Sequence, residues 1–110
     1  MSIFVVKGII NLTMEKLALL AWLQAQPGKE DELAELLKSA LPLANAEEAT
    51  VRWYAWQIDD VTFGIFDTFE AEEGRAAHLN GPIAAALMAN ADKLLAKPPI
   101  IEKLNILAAK

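Results

Sequence analysis

A strand with two apolar faces needs cover on both sides, and this chain has several such strands and few helices to cover them. In LALLAWLQAQ, Leu17 to Gln26, one alternating face carries Leu17, Leu19, Ala21 and Leu23. The other carries Ala18, Leu20 and Trp22. A sheet with helices on one side and water on the other would alternate apolar and polar residues instead. The segment VRWYAWQI, Val51 to Ile58, repeats the feature. Arg52, Tyr54, Trp56 and Ile58 share one face; Val51, Trp53, Ala55 and Gln57 share the other. Asp59-Asp60 reads as a tight turn, and VTFGIFDTF, Val61 to Phe69, as the returning strand. These two runs make the clearest hairpin in the chain.

Pro27-Gly28 stops the Leu17 strand, and GKEDELAELLKSALPLA then reads as a helix. Leu33, Leu36, Leu37 and Ala40 follow the i, i+3, i+4, i+7 spacing of one buried stripe. Glu30 to Glu32 place acidic charge at the positive end of the helix dipole. Pro42 ends or kinks the helix. A second helical region runs from about Ala71 to Leu95. Asn80-Gly81-Pro82 breaks it, and Pro82 restarts it in a first turn. Ile83, Leu87, Ala91, Leu94 and Leu95 form its stripe. Lys97-Pro98-Pro99 ends it, and Ile100 to Leu107 reads as a closing strand. Ile3 to Ile10 reads as an extra strand at the N-terminus.

The expected fold is therefore α+β. Residues 17–110 follow the β-α-β-β-α-β order of a ferredoxin-like split βαβ, with an antiparallel sheet and two helices on one face. Residues 1–16 form an N-terminal extension strand and connector. Two helices cover one side of such a sheet. The opposite apolar face predicts a second copy packed sheet to sheet, at the ~10 Å spacing of stacked sheets. A monomer with its N-terminal segment folded over that face is the alternative.

Composition narrows the function. The length of 110 residues fits one domain. The net charge of -5 lacks the basic footprint of a nucleic-acid binder. With no cysteine, disulfides, thiolate metal sites and cysteine nucleophiles are excluded. The one histidine, His78, excludes a self-contained multi-histidine metal site. No apolar stretch reaches membrane-spanning length, and the N-terminus lacks the basic and small-residue pattern of a signal peptide, so a cytoplasmic location is the default. No G-x-G-x-x-G, Walker, G-x-S-x-G or H-E-x-x-H sequence occurs.

His78 is the group that titrates near neutrality by default. It would serve as a base or proton relay beside a substrate, or brace the helix break. Trp53, Tyr54 and Trp56 sit together on one strand, and Trp22, Phe63 and Phe66 join them across the sheet. Such aromatics line a pocket for a flat ligand or pack as plain core. Arg52 and Asp67 are ionisable groups in apolar strands; facing inward they need partners, and each would reach the other or a ligand oxygen. Asn11, Gln24 and Asn105 have weaker claims.

The opening strand with Pro27-Gly28, the helix ELAELLKSA, the hairpin VRWYAWQIDDVTFGIFDTFE and above all EAEEGRAAHLNGPIAAAL resemble the antibiotic biosynthesis monooxygenase family of dimeric α+β barrels. The resemblance covers roughly Leu17 to Ala108. His78 with Gly81-Pro82 fits the family's helix, in which a histidine precedes a small residue and a polar or proline residue. The resemblance implies a homodimer with facing sheets and a small-molecule cavity in each subunit. Some members oxidise polyphenols or quinol-like compounds with dioxygen and no metal or flavin. In the haem-degrading branch a tryptophan lies about where His78 falls, and a histidine near the place of Met88. Their absence from this chain argues against haem degradation. The cofactor-free oxygenases use asparagine, tryptophan and arginine, which Asn80, Trp53, Trp56 and Arg52 match by type. The resemblance thus implies a cofactor-independent monooxygenase of a small phenol or quinol. His78, Arg52 and Asn80 would be its catalytic residues; the aromatics and Asp67 would bind substrate. A non-oxidative small-molecule binder, isomerase or lyase on the same fold is the other reading.

Overall fold

A computed structural model describes residues 14–110. The strand expected at Ile3 to Ile10, and Asn11, lie outside the described residues. Eight elements follow in order: β1 Leu17–Gln24, α1 Glu30–Ser39, α2 Leu41–Ala46, β2 Thr50–Gln57, β3 Thr62–Phe69, α3 Glu72–Leu79, α4 Pro82–Leu94 and β4 Ile100–Asn105. The strands form one antiparallel sheet in the order β2-β3-β1-β4. This is the ferredoxin-like arrangement expected from the element order, with β1 and β3 in the centre.

Local chemistry sets the boundaries. Gly28 holds φ at +84°, a conformation that favours glycine, and so turns the chain from β1 into α1. Asp59 makes the hairpin turn by accepting the Val61 and Thr62 amide hydrogens on Oδ1, at 3.0 and 2.7 Å. Each expected helix is divided in two. Pro42 lies in the first turn of α2, where its missing N–H costs nothing, so the chain bends at Ala40 between α1 and α2. Gly81 caps α4, with Pro82 as its first residue.

Register assigns the faces. Leu19, Ala21 and Leu23 of β1 lie opposite Asp67, Ile65 and Phe63 of β3. These side chains share the face covered by the helices. Their core includes Leu33 and Leu37 of α1, Ala44 of α2 and Ile83 of α4. The expected stripes of both helical regions supply this packing. The other face carries Leu20 and Trp22, Tyr54 and Trp56, Phe66 and Leu104, in register across all four strands. Among the described residues no helix covers it. Tyr54 is 51% exposed there and Ile100 47%.

Arg75 ties α3 to the sheet. It is buried, donates from Nη1 to the Ala18 and Leu104 carbonyl oxygens, both at 3.3 Å, and pairs with Glu72 at 2.6 Å. A buried guanidinium held this way fixes the helix that carries His78.

Candidate functional site

The hairpin places Asp67 on the helix side of β3, in a strand otherwise made of apolar and small residues. Only 1% of its side chain is exposed. A buried carboxylate requires a partner, and α3 supplies it. His78 Nε2 lies 2.7 Å from Asp67 Oδ2. On the far side of the ring, Nδ1 lies 2.7 Å from Glu47 Oε1, in the connection between α2 and β2. Thr50 Oγ1 donates to the same Glu47 oxygen at 2.7 Å. The Phe69 ring packs against the imidazole with centroids 5.5 Å apart. The result is a carboxylate–imidazole–carboxylate chain, Asp67–His78–Glu47, held by three separate parts of the fold.

The chain borders a small cavity of about 50 Å³ on the helix side. Asp67 and His78 supply its polar wall; Ile65, Ile83, Leu87 and Ile101 are among its apolar walls. Asp67 Oδ1 is buried with no protein partner. Burial raises the Asp67 pKa above its ordinary 3.8; the His78 hydrogen bond and charge pull it down without cancelling that, and the Glu47 charge adds to the rise. Burial opposes charge on His78, but the hydrogen bonds and charges of Asp67 and Glu47 outweigh it, so its pKa rises above the ordinary 6.5. The two groups together hold protons more firmly than they would in water. Among the described residues no three or more metal-ligating side chains converge to hold an ion.

The structure divides the residues singled out in the sequence between the two faces. His78, Asp67, Trp53 and Phe63 lie on the helix side. Trp53 sits opposite Asp67 on the neighbouring strand, packs against the core, and leaves its Nε1 buried and unpaired. Arg52, Tyr54, Trp56, Phe66 and Trp22 lie on the opposite face. The expected pairing of Arg52 with Asp67 is not formed, because Arg52 lies opposite Thr68 on the outer face while Asp67 lies opposite Trp53 on the helix side. Arg52 pairs instead with Glu15 at 3.4 Å and is 57% exposed. Asn80 caps the end of α3, donating to the Ala76 carbonyl at 2.9 Å in an exposed position. Gln24 is on the outer face, and Asn105 is exposed at the end of β4. Glu47 was not expected; the signal for it was only the need of His78 and Asp67 for partners.

No family model and no curated protein matches the chain. Solved structures do. The NE2512 protein of unknown function from Nitrosomonas europaea is 60% identical, over 89% of this chain and 95% of that one, with a TM-score of 0.87. Two proteins provisionally assigned as antibiotic biosynthesis monooxygenases share the fold at low identity. The one from Nitrosomonas europaea is 14% identical over 84% of this chain and 99% of its own, with a TM-score of 0.75. The one from Caulobacter crescentus is 18% identical over 87% and 93%, with a TM-score of 0.71. The chain therefore has the fold of these monooxygenase-like proteins and belongs to the same family as the NE2512 protein of Nitrosomonas europaea.

Proposed function

We propose that the chain is a cofactor-independent monooxygenase of a small phenol or quinol-like compound, with its site on the helix side of the sheet. The observation that carries the reading is Asp67, a buried carboxylate with one free oxygen, on the wall of an apolar cavity beside His78. Asp67 would take the phenolic proton. The resulting anion is the electron-rich species that reacts with dioxygen. One oxygen atom enters the substrate as a carbonyl and the other leaves in water with the two hydrogens removed, so no outside reductant is needed. The charge on His78 would steady the anion in a low-dielectric site. The cavity of about 50 Å³ holds water rather than a ring, so a phenol would have to displace side chains at its rim. Ile101, 45% exposed on the edge strand, is the natural one to move.

Oxygen uptake on a panel of quinols tests the reading. Stoichiometric uptake with one labelled oxygen atom in the product is expected. Turnover of a related ketone or enol without oxygen uptake would replace it with an isomerase or lyase acting through the same pair, a reading that the small cavity favours for compact substrates.

The chain is also proposed to be a homodimer. The outer face supports this, with Trp22, Tyr54, Trp56 and Phe66 collected on one side and no helix over it among the described residues. An exposed aromatic patch of this kind is typical of an interaction surface. Sedimentation at micromolar concentration should give twice the mass of the 12.0 kDa chain; a single-chain mass would refute the dimer.

A further inference from the structure

The floor of the helix-side cavity is a patch of sheet two rows deep and three strands wide. In one row Asp67 of β3 lies opposite Leu19 of β1, and Leu19 lies opposite Lys103 of β4. In the other, Ile65, Ala21 and Ile101 follow the same order. Five of these six residues line the cavity. Lys103 is the sixth, exposed on the edge strand at the outer corner. We infer that Lys103 is a specificity-determining residue, and that the compound bound here carries a carboxylate one aromatic ring away from its reacting hydroxyl. The inference rests on the proposed site beside Asp67, but its test needs no turnover.

Lys103 and Ile101 are two positions apart on β4, so their side chains stand on the same side of the sheet. A phenol enters by displacing Ile101, which opens the cavity where the lysine stands. Neighbouring strands lie about 4.8 Å apart, which puts Asp67 and Lys103 about 10 Å apart at the backbone. The span above Leu19 suits a benzene ring with a hydroxyl at the Asp67 end and a carboxylate at the other. Ile83 and Leu87 of α4 supply an apolar roof for the ring. The corner is on the helix side, away from the outer face proposed to join two copies.

Charge sets the orientation. At the inner end Asp67 and Glu47 take both ring nitrogens of His78, each at 2.7 Å. A ligand carboxylate finds no free donor there and meets the Asp67 carboxylate. The α4 residues that line the cavity are uncharged. From α3, Glu72 feels the Lys103 charge but is held by Arg75 at 2.6 Å. Arg75 is itself committed to Glu72 and to the Ala18 and Leu104 carbonyl oxygens. Among the described residues this leaves Lys103 as the cation free to meet a ligand at the rim. In a chain of net charge -5 it also draws an anion that the rest of the surface repels.

4-Hydroxybenzoate and 4-hydroxybenzamide share a ring, a hydroxyl and nearly the same shape, and at neutral pH only the first is charged. Titration into the full-length ¹⁵N-labelled protein, followed at the amides of Asp67, His78 and Ile101, gives both affinities. The acid should bind about fivefold more tightly, the upper range for an ion pair at a solvent-facing rim. The advantage should shrink as salt is added. Lys103→Met keeps the apolar stem without the charge; it should bring the acid down to the level of the amide and leave the amide unchanged. Lys103→Arg should keep the preference. Equal affinities in the wild type, a preference that survives Lys103→Met, or no binding of either compound would overturn the inference. Lys103 would then only guard the sheet edge against pairing with other chains. If 3,4-dihydroxybenzoate binds with this dependence on Lys103 and consumes no oxygen, the oxygenase reading falls and the specificity is upheld.

Discussion

Asp67→Asn should lower quinol oxidation by about 10²–10⁴-fold, the range of a lost general base, in a protein that still folds. Asparagine keeps the shape of the carboxyl but cannot accept a proton. The variant is expected to be less stable but folded, because asparagine keeps an oxygen facing His78 and Glu47 still meets the other side of the ring. The same variant should alter how stability depends on pH. In the wild type both Asp67 and His78 bind protons more tightly when folded, their pKa values lying above 3.8 and 6.5. The folded state then carries more protons than the unfolded one, so stability falls as pH rises. The His78 part is fully present below 6.5 and is lost as pH climbs through the raised value. At acid pH the exposed Glu32, Asp59 and Glu72, whose pKa values are lowered, give the opposite slope, so the test belongs above 6.5. In Asp67→Asn the hydrogen bond and charge that most raise His78 are gone, and the fall in melting temperature above that pH should flatten. Full oxidation rate in the variant would remove Asp67 as the acceptor. An unchanged slope would show that the two groups are not coupled.

The elements were legible in the sequence because their signals are local. The leucine stripe of α1, the Pro27-Gly28 stop, the aspartate turn and the Asn80-Gly81-Pro82 break each act within a few residues, and each falls where expected. Strand facing was not legible, for a physical reason. Alternation tells inside from outside only when one face is polar, and β1, β2 and β3 are apolar on both. Arg52 and Trp53 differ by one position and so fall on opposite sides, but nothing local says which side meets the helices. The candidate residues therefore came out as one list where the structure has two. A register shift between Thr50 and Arg52 adds to the difficulty, since it offsets the start of β2 against β3. Glu47 was hidden for another reason. It lies in a polar connection, AEEAT, that reads as an ordinary solvated loop. Its partner is 31 residues away, and only the packing of α3 against the sheet brings them together.

Gly64→Ala should cost the fold about 3 kcal/mol, from overpacking at ~1–3 kcal/mol together with a disturbed aromatic pair at ~0.5–1.5 kcal/mol. Gly64 sits in the centre of the outer face, flanked in register by Trp22 on β1 and Trp56 on β2. Those two rings meet edge to face across it, with centroids 5.2 Å apart and planes at 82°. Trp22 is held in turn by Glu102, which accepts its indole N–H at 2.7 Å. The absence of a side chain at Gly64 is what allows the Trp56 indole to lie over the strand. A methyl group there would stand inside contact distance of the indole and of the Ala21 carbonyl oxygen. The indole is free to swing aside, but the Ala21 carbonyl belongs to the central strand and is not. For a domain of this size each kcal/mol corresponds to about 4–8 °C in melting temperature, so a drop of more than 10 °C is expected. The loss should be present at every protein concentration, since the clash lies within one chain. If the outer face also joins two copies, displacing Trp56 should weaken association as well, and the drop should grow on dilution. A variant that melts within a degree or two of the wild type would mean that the strand shifts freely at Gly64. The tryptophan pair would then be a passenger on the sheet and not part of what holds it together.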